Sequence, residues 1–237
     1  MRAATLGRGV LAEVSSICKT LAVEVDLRLQ PAVCTTRFRN TSVGGSRQQV
    51  VEATAGAIDV AALPECDVLH VAPVSNEIDL DALSSAGPKA DFVGLTAQGI
   101  LRAWDDTGRV ALRPPAVGPT AANAIDAIVF ADYEYEFVAS FADEVVRNGG
   151  LAVVTRNVAG CTVLSKSGTD DFPAYRFDGA VDDTGAGDVF AAALFVELHR
   201  GVPLAGAVRF AAVASALSTR AVGTAGLATR DEILACC

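Results

Sequence analysis

The stretch Val181–Gly201, VDDTGAGDVFAAALFVELHRG, joins a Gly-Ala-Gly turn to a long apolar run that is typical of a buried helix. The first turn of a helix has N–H groups without internal acceptors and a partial positive charge, and small residues let an anion approach them. The stretch therefore predicts an anion or phosphate site at a helix start. A tight turn that only packs against a strand is the alternative, and the turn alone favours it.

Two common nucleotide-binding motifs do not fit this turn. A P-loop needs Lys followed by Ser or Thr after its last glycine, whereas Asp188 and Val189 follow Gly187. A dinucleotide fingerprint needs Gly or Ala three residues after its second glycine, but Phe190 stands there and the preceding segment is a weak strand. A phosphate site at this turn must therefore belong to another class.

Asp188 places a carboxylate in the first helical turn, beside the predicted anion site. It is either an ordinary helix-start carboxylate favoured by the helix dipole, or a catalytic base for a hydroxyl that attacks a phosphoryl group. Both interpretations predict an ionised side chain at neutral pH, because an ordinary Asp has a pKa of about 3.9 and a helix N-terminus lowers it.

Composition limits the classes to which this chain of 237 residues can belong. Hydrophobic residues make up 51% and charged residues 20%, which predicts a folded chain with a large core. The net charge of −9 offers no basic surface for nucleic acid, and no apolar run approaches the length of a membrane span. Six cysteines without a C-x-x-C pair, and only two histidines, predict thiols of a reducing cytoplasm rather than a zinc site.

Strand-like and helix-like segments alternate along the chain, which predicts an α/β fold with a mainly parallel sheet. Residues 33–53 alternate around Gly44-Gly45 and predict a β-hairpin, set apart from the sheet as a small flap. Arg147–Gly150 predicts the end of a helix, and Thr229–Glu232 predicts a capping box at the start of a last helix.

The segment DDTGAGDVFAAAL (Asp182–Leu194) resembles the C-terminal signature of the PfkB/ribokinase carbohydrate kinase family, D-T-x-G-A-G-D followed by an apolar helix. VVTRNVAGCTVL (Val153–Leu164) is similar to the family's strand and turn with T-x-G-x-x-G, with Asn157 in place of the middle glycine. STRAVGTAGLATRDEI (Ser218–Ile233) resembles the nucleotide loop and last helix, and DAIVFADYEYE (Asp126–Glu136) resembles the segment that carries N-x-x-E. More weakly, residues 35–49 and 94–110 resemble the inositol-kinase-like branch.

The resemblance implies a single ribokinase-like domain over residues 1–237, with a three-layer α/β/α arrangement and the flap as a lid. It implies an ATP-dependent kinase that transfers the γ-phosphoryl group to a hydroxyl of a sugar, inositol or nucleoside, with ATP and Mg²⁺ as cofactors. Asp188 corresponds to the base, and the backbone N–H groups of Gly185, Ala186 and Gly187 correspond to the anion hole. A homodimer formed through the flap is also implied.

Other family positions map onto this chain residue by residue. Glu134 corresponds to the residue that helps hold magnesium, and Asp182 and Thr184 to positions near a monovalent cation such as K⁺. The resemblance assigns ATP contacts to these residues: Thr155, Asn157, Gly160, Ala211, Ala214 and Gly223. Arg47 and Gln48 correspond more weakly to substrate-binding flap residues, and a solvated hairpin face is the equal alternative for them. Asp183 receives no role.

The chain also departs from the family pattern. Relatives begin with a strand carrying a substrate-binding aspartate and a Gly-Gly-x-x-x-Asn segment, and neither is found after MRAATLGRGVLAEVSS. We therefore expect several dozen family residues to be missing ahead of Thr5. Ala131 stands where the asparagine of N-x-x-E is expected. A catalytically degenerate relative that binds nucleotide or acts as an interaction module is thus the main alternative, and an unrelated α/β domain with a coincidental motif is the third.

Overall fold

The computed structural model describes residues 30, 32–43 and 46–237. In chain order the described strands are β1 (Arg37–Val43), β2 (Ser46–Ala53), β3 (Cys66–Val71), β4 (Ala90–Thr96), β5 (Arg102–Trp104), β6 (Val110–Leu112), β7 (Ala127–Ala131), β8 (Leu151–Thr155), β9 (Cys161–Ser165) and β10 (Gly168–Phe172). The described α-helices are α1 (Leu80–Ala86), α2 (Gln98–Leu101), α3 (Tyr135–Arg147), α4 (Ala186–His199), α5 (Leu204–Ser218) and α6 (Arg230–Leu234).

Six strands form the central sheet in the order β10-β9-β8-β7-β4-β3. The four strands β3, β4, β7 and β8 run parallel to one another, while β9 and β10 extend the sheet as an antiparallel pair. Parallel neighbours need crossover connections, and the chain supplies these largely through helices. The sheet is therefore mainly parallel, as the sequence predicts.

The side chains of β7 divide between two cores on opposite faces of the sheet. Ile128 and Phe130 pack with buried residues of α1 and α3, whereas Ala127 and Val129 pack with buried residues of α4 and α5. Alternate residues of a strand point to opposite faces, so a strand buried on both faces reads as a continuous apolar run. Helices on both faces of one sheet give the predicted three-layer α/β/α fold.

Helix boundaries follow local capping chemistry. Thr229 accepts a hydrogen bond from the Glu232 backbone N–H, and the Glu232 carboxylate accepts one from the Thr229 N–H, so the predicted capping box is confirmed. Helix α3 ends at Arg147, and Gly149 beyond it adopts a φ of 104° that favours glycine. Among the helices of the described ranges, none combines the length and the apolar character needed to cross a bilayer.

Strands β1 and β2 form an antiparallel hairpin outside the central sheet, with Val43 opposite Ser46. The Gly44-Gly45 turn between them lies outside the described residues. The hairpin contacts a second hairpin, β5–β6. The Val51 N–H donates a hydrogen bond of 2.8 Å to the carbonyl of Gly108, which lies between β5 and β6. The hairpin thus lies against the chain that follows β4. The sequence interpretation did not include β5–β6.

Candidate active site

The carboxyl ends of the parallel strands bring several predicted residues to one edge of the sheet. Strand β4 leads into Gln98, β7 into Glu134, and β8 ends at Thr155. Ligands of open α/β sheets bind at this edge, in the crevice outside the strand ends. Helix α4 packs on β3 and β4 and begins with the Gly-Ala-Gly turn.

The turn before α4 has the open geometry that an anion site needs. Gly185 has a φ of 83°, a left-handed conformation that favours glycine. A Cβ added to Gly185 or Gly187 would meet no atom within 4 Å, so both glycines border open space. The first helical bond runs from the Val189 N–H to the Gly185 carbonyl, which leaves the N–H groups of Gly187 and Asp188 in the first turn without a helical acceptor.

Ala186 does not have an available N–H in this arrangement. Its N–H donates to the Asp183 carbonyl at 3.1 Å and closes the turn. The turn therefore offers an anion the N–H groups of Gly187 and Asp188, whereas the Ala186 N–H of the predicted anion hole is already bonded. Asp183, which had no predicted role, contributes this carbonyl, while its side chain is exposed.

Solvent reaches Asp188, yet enough protein surrounds its carboxylate that burial raises the pKa above its usual value. The positive charge of Arg102 opposes this rise. The sequence analysis predicts a lowered pKa, and that prediction is wrong because loss of hydration outweighs the favourable interactions. A higher pKa makes the ionised carboxylate a better proton acceptor.

Asp182 ties the turn to the loop around Gly223. Its Oδ1 accepts from the Thr184 N–H at 3.0 Å and its Oδ2 from the Gly223 N–H at 3.4 Å. The hydrogen bonds from Thr184, followed by that from Gly223, lower the pKa of Asp182. The segment that resembles the family signature and the segment that resembles its nucleotide loop are therefore neighbours in space. A monovalent cation at Asp182 and Thr184 stays a prediction.

Glu134 is buried directly after β7 with one carboxylate oxygen satisfied and one not. Its Oε2 accepts from the Ala131 N–H at 2.8 Å, whereas Oε1 has no hydrogen-bond partner within the described ranges. Burial raises the pKa of Glu134, and the Ala131 N–H and the charge of Arg102 lower it. A buried acceptor without a partner is costly, so a bound water or a hydrated cation fits this position.

The described residues contain no cluster of three or more His, Cys, Asp or Glu side chains that could hold a metal by themselves. Magnesium usually keeps several waters and takes one or two carboxylates together with substrate phosphates. Glu134 supplies one such carboxylate. Ala131 offers no side-chain oxygen beside it.

The turn after β8 explains why asparagine can replace a family glycine. Asn157 has a φ of 47°, a left-handed conformation that asparagine tolerates better than most residues. Gly160 has a φ of 91°, and a Cβ there would lie 2.0 Å from the Phe172 carbonyl oxygen. Thr155 is half-buried, and its hydroxyl donates to the Phe130 carbonyl at 3.3 Å.

The remaining predicted contact residues differ in how exposed they are. Ala211 and Ala214 lie on α5 and are 0% and 3% exposed, so their methyl groups are packed in the core. Gly223 has a φ of 60° with open space around its α-carbon. Gln48 is exposed on β2, and the Arg47 side chain lies outside the described residues.

Arg102 is a site residue that the sequence analysis missed. Its side chain is buried, and its charge acts on both Asp188 and Glu134. The available signal was a single cation within the apolar segment GILRAW (Gly99–Trp104). Charged residues are almost never fully buried unless they have partners, so such a position merits attention.

Comparison with known proteins found similarity to one family of kinases. Residues 119–230 match the family model described as pfkB family carbohydrate kinase. A protein of Pyrococcus horikoshii that is named as a sugar kinase is 34% identical over 91 residues, which is 38% of this chain and 29% of that protein. The match thus spans less than a third of that relative's length.

Solved structures with the same fold align with nearly all of the chain. Ribokinase from Thermotoga maritima has a TM-score of 0.69 at 19% identity, covering 97% of this chain and 77% of that chain. A nucleoside kinase from Burkholderia thailandensis with inosine has a TM-score of 0.74 at 22% identity, covering 98% and 76%. A pyrophosphate-dependent kinase in the ribokinase family has a TM-score of 0.75 at 18% identity, covering 98% and 84%. The predicted ribokinase-like fold is therefore confirmed.

Proposed function

We propose that the chain, whose residues 119–230 match the pfkB family carbohydrate kinase model, is an ATP-dependent kinase that phosphorylates a hydroxyl of a sugar or related polyol. The observation that carries the proposal is the position of Asp188 in the first turn of α4, directly after an open Gly185–Gly187 turn. A proton acceptor and an open space thus lie side by side.

Asp188 acts as the base in this proposal. The acceptor hydroxyl attacks the γ-phosphorus, its proton passes to the Asp188 carboxylate, and the bond from phosphorus to the ADP oxygen breaks. In a loose transition state the hydroxyl loses its proton late, so orientation matters more than basicity. The N–H groups of Gly187 and Asp188 point to the transferring group and stabilise its charge.

Glu134 is the proposed magnesium residue, through water, because its Oε1 is buried and unpartnered among the described residues. Bound Mg²⁺ supplies charge neutralisation of the donor phosphates. Asp182 contributes by holding the Gly223 loop against the turn before α4, so that both loops can face one nucleotide. We also assign Thr155, Asn157 and Gly160, at and after the carboxyl end of β8, to the proposed donor site.

An assay with several donors and acceptors tests which phosphate donor and which acceptor the chain uses. Among the proteins of similar fold, one is described as pyrophosphate-dependent, one was solved with inosine and one with ribose and ATP. The assay therefore offers ATP and pyrophosphate as donors, each with a panel of sugars, inositols and nucleosides. Phosphorylated product is measured by mass, which avoids counting donor hydrolysis as transfer.

The deciding comparison is between Asp188→Asn and the matched control Asp178→Asn, which changes an exposed carboxylate ahead of the same turn. Loss of a general base typically costs about 100-fold to 10,000-fold in rate, so Asp188→Asn is expected to lose turnover while it still binds nucleotide. Asp178→Asn is expected to match the unsubstituted chain. Equal turnover in Asp188→Asn and the unsubstituted chain would refute the assignment.

A nucleotide-binding protein without kinase activity is the second candidate. Ala131 favours it, because this position gives no side-chain oxygen to complete a magnesium shell beside Glu134. Binding of ATP by calorimetry, combined with no product from any donor and acceptor of the panel, would select this candidate.

A further inference from the structure

We propose that Arg220 is a positioning residue that holds the Gly223 loop in the place where it binds the nucleoside part of the donor. The proposal rests on the proposed kinase function and adds to it a residue and its means of action. Helix α5 ends at Ser218, and residues 219–229 form the Gly223 loop that leads from there to α6. Arg220 therefore stands at the start of the loop.

The Arg220 guanidinium closes the base of this loop. Its Nη2 donates to the Leu227 carbonyl at 3.1 Å, and its Nη1 donates to Glu232 Oε1 at 3.2 Å. One side chain therefore joins the first residues of the loop to its last residues and to α6. A planar guanidinium has forked donors that reach a carbonyl and a carboxylate together, whereas the ammonium of lysine is a compact point charge.

Glu232 accepts from Arg220 while it also caps α6. Its Oε2 accepts from the Thr229 N–H at 2.7 Å, which is half of the Thr229–Glu232 capping box. The hydrogen bond from the Thr229 N–H, followed by that from Arg220, lowers the pKa of Glu232 to about 2. The carboxylate is therefore ionised throughout the neutral range, and its contact with Arg220 is present wherever the chain is assayed.

Backbone packing holds the same base closely. A Cβ on Gly226 would lie 1.9 Å from the Ser218 carbonyl oxygen, so the loop returns against the end of α5. Gly226 is buried, whereas Val222 is 69% exposed and the α-carbon of Gly223 borders open space. The loop thus has a fixed base and an open tip at Val222 and Gly223.

The tip of the loop reaches the turn before α4. The Gly223 N–H donates to Asp182 Oδ2 at 3.4 Å, and the Asp182 N–H donates to the Thr219 carbonyl at 3.1 Å. Asp182 Oδ1 accepts from the Thr184 N–H at 3.0 Å, directly before the Gly185–Gly187 turn. A donor with its phosphates at that turn therefore has the tip beside it, and in ATP the group that remains to be bound there is the nucleoside.

The Arg220 contacts act on the loop more than on global stability. The Arg220 and Glu232 side chains are 34% and 46% exposed, and ion pairs this accessible to water contribute little to the stability of a fold. Their effect is to restrict the conformations of the loop before a ligand arrives. A loop that is already ordered costs less entropy on binding, so its loss appears in the affinity for the ligand.

Calorimetry of ATP binding compares Arg220→Met with the matched control Thr229→Ala. Arg220→Met removes both loop contacts, whereas Thr229→Ala removes the hydroxyl that caps α6 and retains Arg220. We expect Arg220→Met to weaken ATP binding about tenfold with almost the same Tm. Thr229→Ala is expected to lower Tm while ATP binding stays normal. Equal loss of ATP affinity in both variants would indicate a general structural effect and overturn the proposal.

Tripolyphosphate separates the two ends of the donor, because it has phosphates like those of ATP and no nucleoside. Its affinity is expected to be the same in Arg220→Met and the unsubstituted chain, and an equal loss for ATP and tripolyphosphate would overturn the nucleoside assignment. If Arg220→Met does not fold, Glu232→Gln decides, since glutamine can still accept from the Thr229 N–H but lacks the charge that faces Arg220. Normal ATP affinity in Glu232→Gln then overturns the proposal.

Turnover gives a further measurement, in which Arg220→Met is expected to raise KM for ATP about tenfold while KM for the acceptor and kcat stay close to normal. The two proposals fail differently. Absence of product from an unsubstituted chain that binds ATP refutes the kinase function and leaves the calorimetric comparison valid. Normal turnover together with equal ATP affinity in Arg220→Met and the unsubstituted chain refutes only the role of Arg220. Absence of ATP binding by the unsubstituted chain refutes ATP as the donor and the role of Arg220 with it.

Discussion

The ring of Phe195 lies directly against the α-carbon of Gly94. A Cβ on residue 94 would come within 2.2 Å of Phe195 Cδ2. Gly94 belongs to β4 and Phe195 to α4, so this contact fixes how closely the helix that carries Asp188 approaches the sheet. The position of the proposed base therefore depends on a glycine far from the reacting atoms.

Gly94→Ala is expected to destabilise the fold, because the added methyl group overlaps a fully buried ring. Overpacking of this kind typically costs about 1–3 kcal/mol. Chemical denaturation measures the free energy of unfolding, and Gly206→Ala serves as the control. A Cβ on residue 206 meets only Val202 Cγ1 at 3.1 Å, and alanine favours a helix. Equal stability of the Gly94→Ala and unsubstituted chains would contradict the packing argument.

His70, whose ring packs against the same Phe195 ring, makes the free energy of unfolding depend on pH. Its ring lies 5.1 Å from the Phe195 ring, its Nε2 is 2.7 Å from Thr96 Oγ1, and burial lowers its pKa to about 4 from 6.5. The unfolded chain binds the proton more readily than the folded chain. Stability from this group is therefore complete above about pH 6.5 and is lost as the pH falls toward 4.

His70→Gln removes the titrating group while it keeps a polar side chain near Thr96. The lowering of the His70 pKa corresponds to about 3 kcal/mol, so the unsubstituted chain is expected to lose up to that amount between neutral pH and about pH 4. The variant is expected to lose clearly less over the same window, as measured by urea unfolding at each pH. His199→Gln is the control and should keep the full slope. Parallel slopes for all three chains would exclude His70 as the cause.

Glu134→Gln tests the magnesium assignment. Glutamine retains the shape and can still accept from the Ala131 N–H, but it removes the charge next to the unpartnered Oε1 position. A residue that holds a cation through water typically contributes about 10-fold to 100-fold to its affinity. We therefore expect the Mg²⁺ concentration for half-maximal turnover, and for half-maximal nucleotide affinity by calorimetry, to rise by that factor.

Glu136→Gln provides the comparison, because Glu136 is two residues away and exposed. Its magnesium dependence is expected to match that of the unsubstituted chain. A Glu134→Gln variant with normal magnesium dependence in both measurements would show that Oε1 serves a structural water.

The sequence predicted those elements whose shape follows from neighbouring residues. The apolar run that follows the Gly-Ala-Gly turn forms helix α4, which begins at Ala186, and the capping box at Thr229 forms as expected. Asn157 could also be mapped onto a family glycine, because the left-handed φ that the turn requires is accessible to asparagine. Local hydrogen bonds and backbone preferences are sufficient for such features.

Features that depend on distant contacts could not be predicted in the same way. Arg102 gains its role from Val74, 28 residues away, and Glu197 from Arg230, 33 residues away. The raised pKa of Asp188 likewise results from burial by several segments. Neither hydrophobic periodicity nor motif spacing carries this information.

The Glu197–Arg230 pair links α4 to the last helix and gives a final prediction. Glu197 is 2% exposed, its Oε2 accepts from Arg230 Nη2 at 2.9 Å, and the hydrogen bonds from Arg230 lower its pKa. A lowered carboxylate pKa contributes stability that is present above the unfolded value and is lost as the pH falls through the folded value.

Arg230→Met should leave the Glu197 carboxylate buried with only the weaker neighbour Arg200, at 3.7 Å. We expect a Tm several degrees lower at neutral pH and a shallower loss of stability on acidification, because the carboxylate no longer gains from ionising in the folded state. Arg200→Met is the matched control, since Arg200 Nη1 is more distant and its side chain is 51% exposed. Scanning calorimetry at neutral and acidic pH separates the two variants, and equal Tm losses in both would place the stabilisation in general charge balance rather than in the Glu197–Arg230 contact.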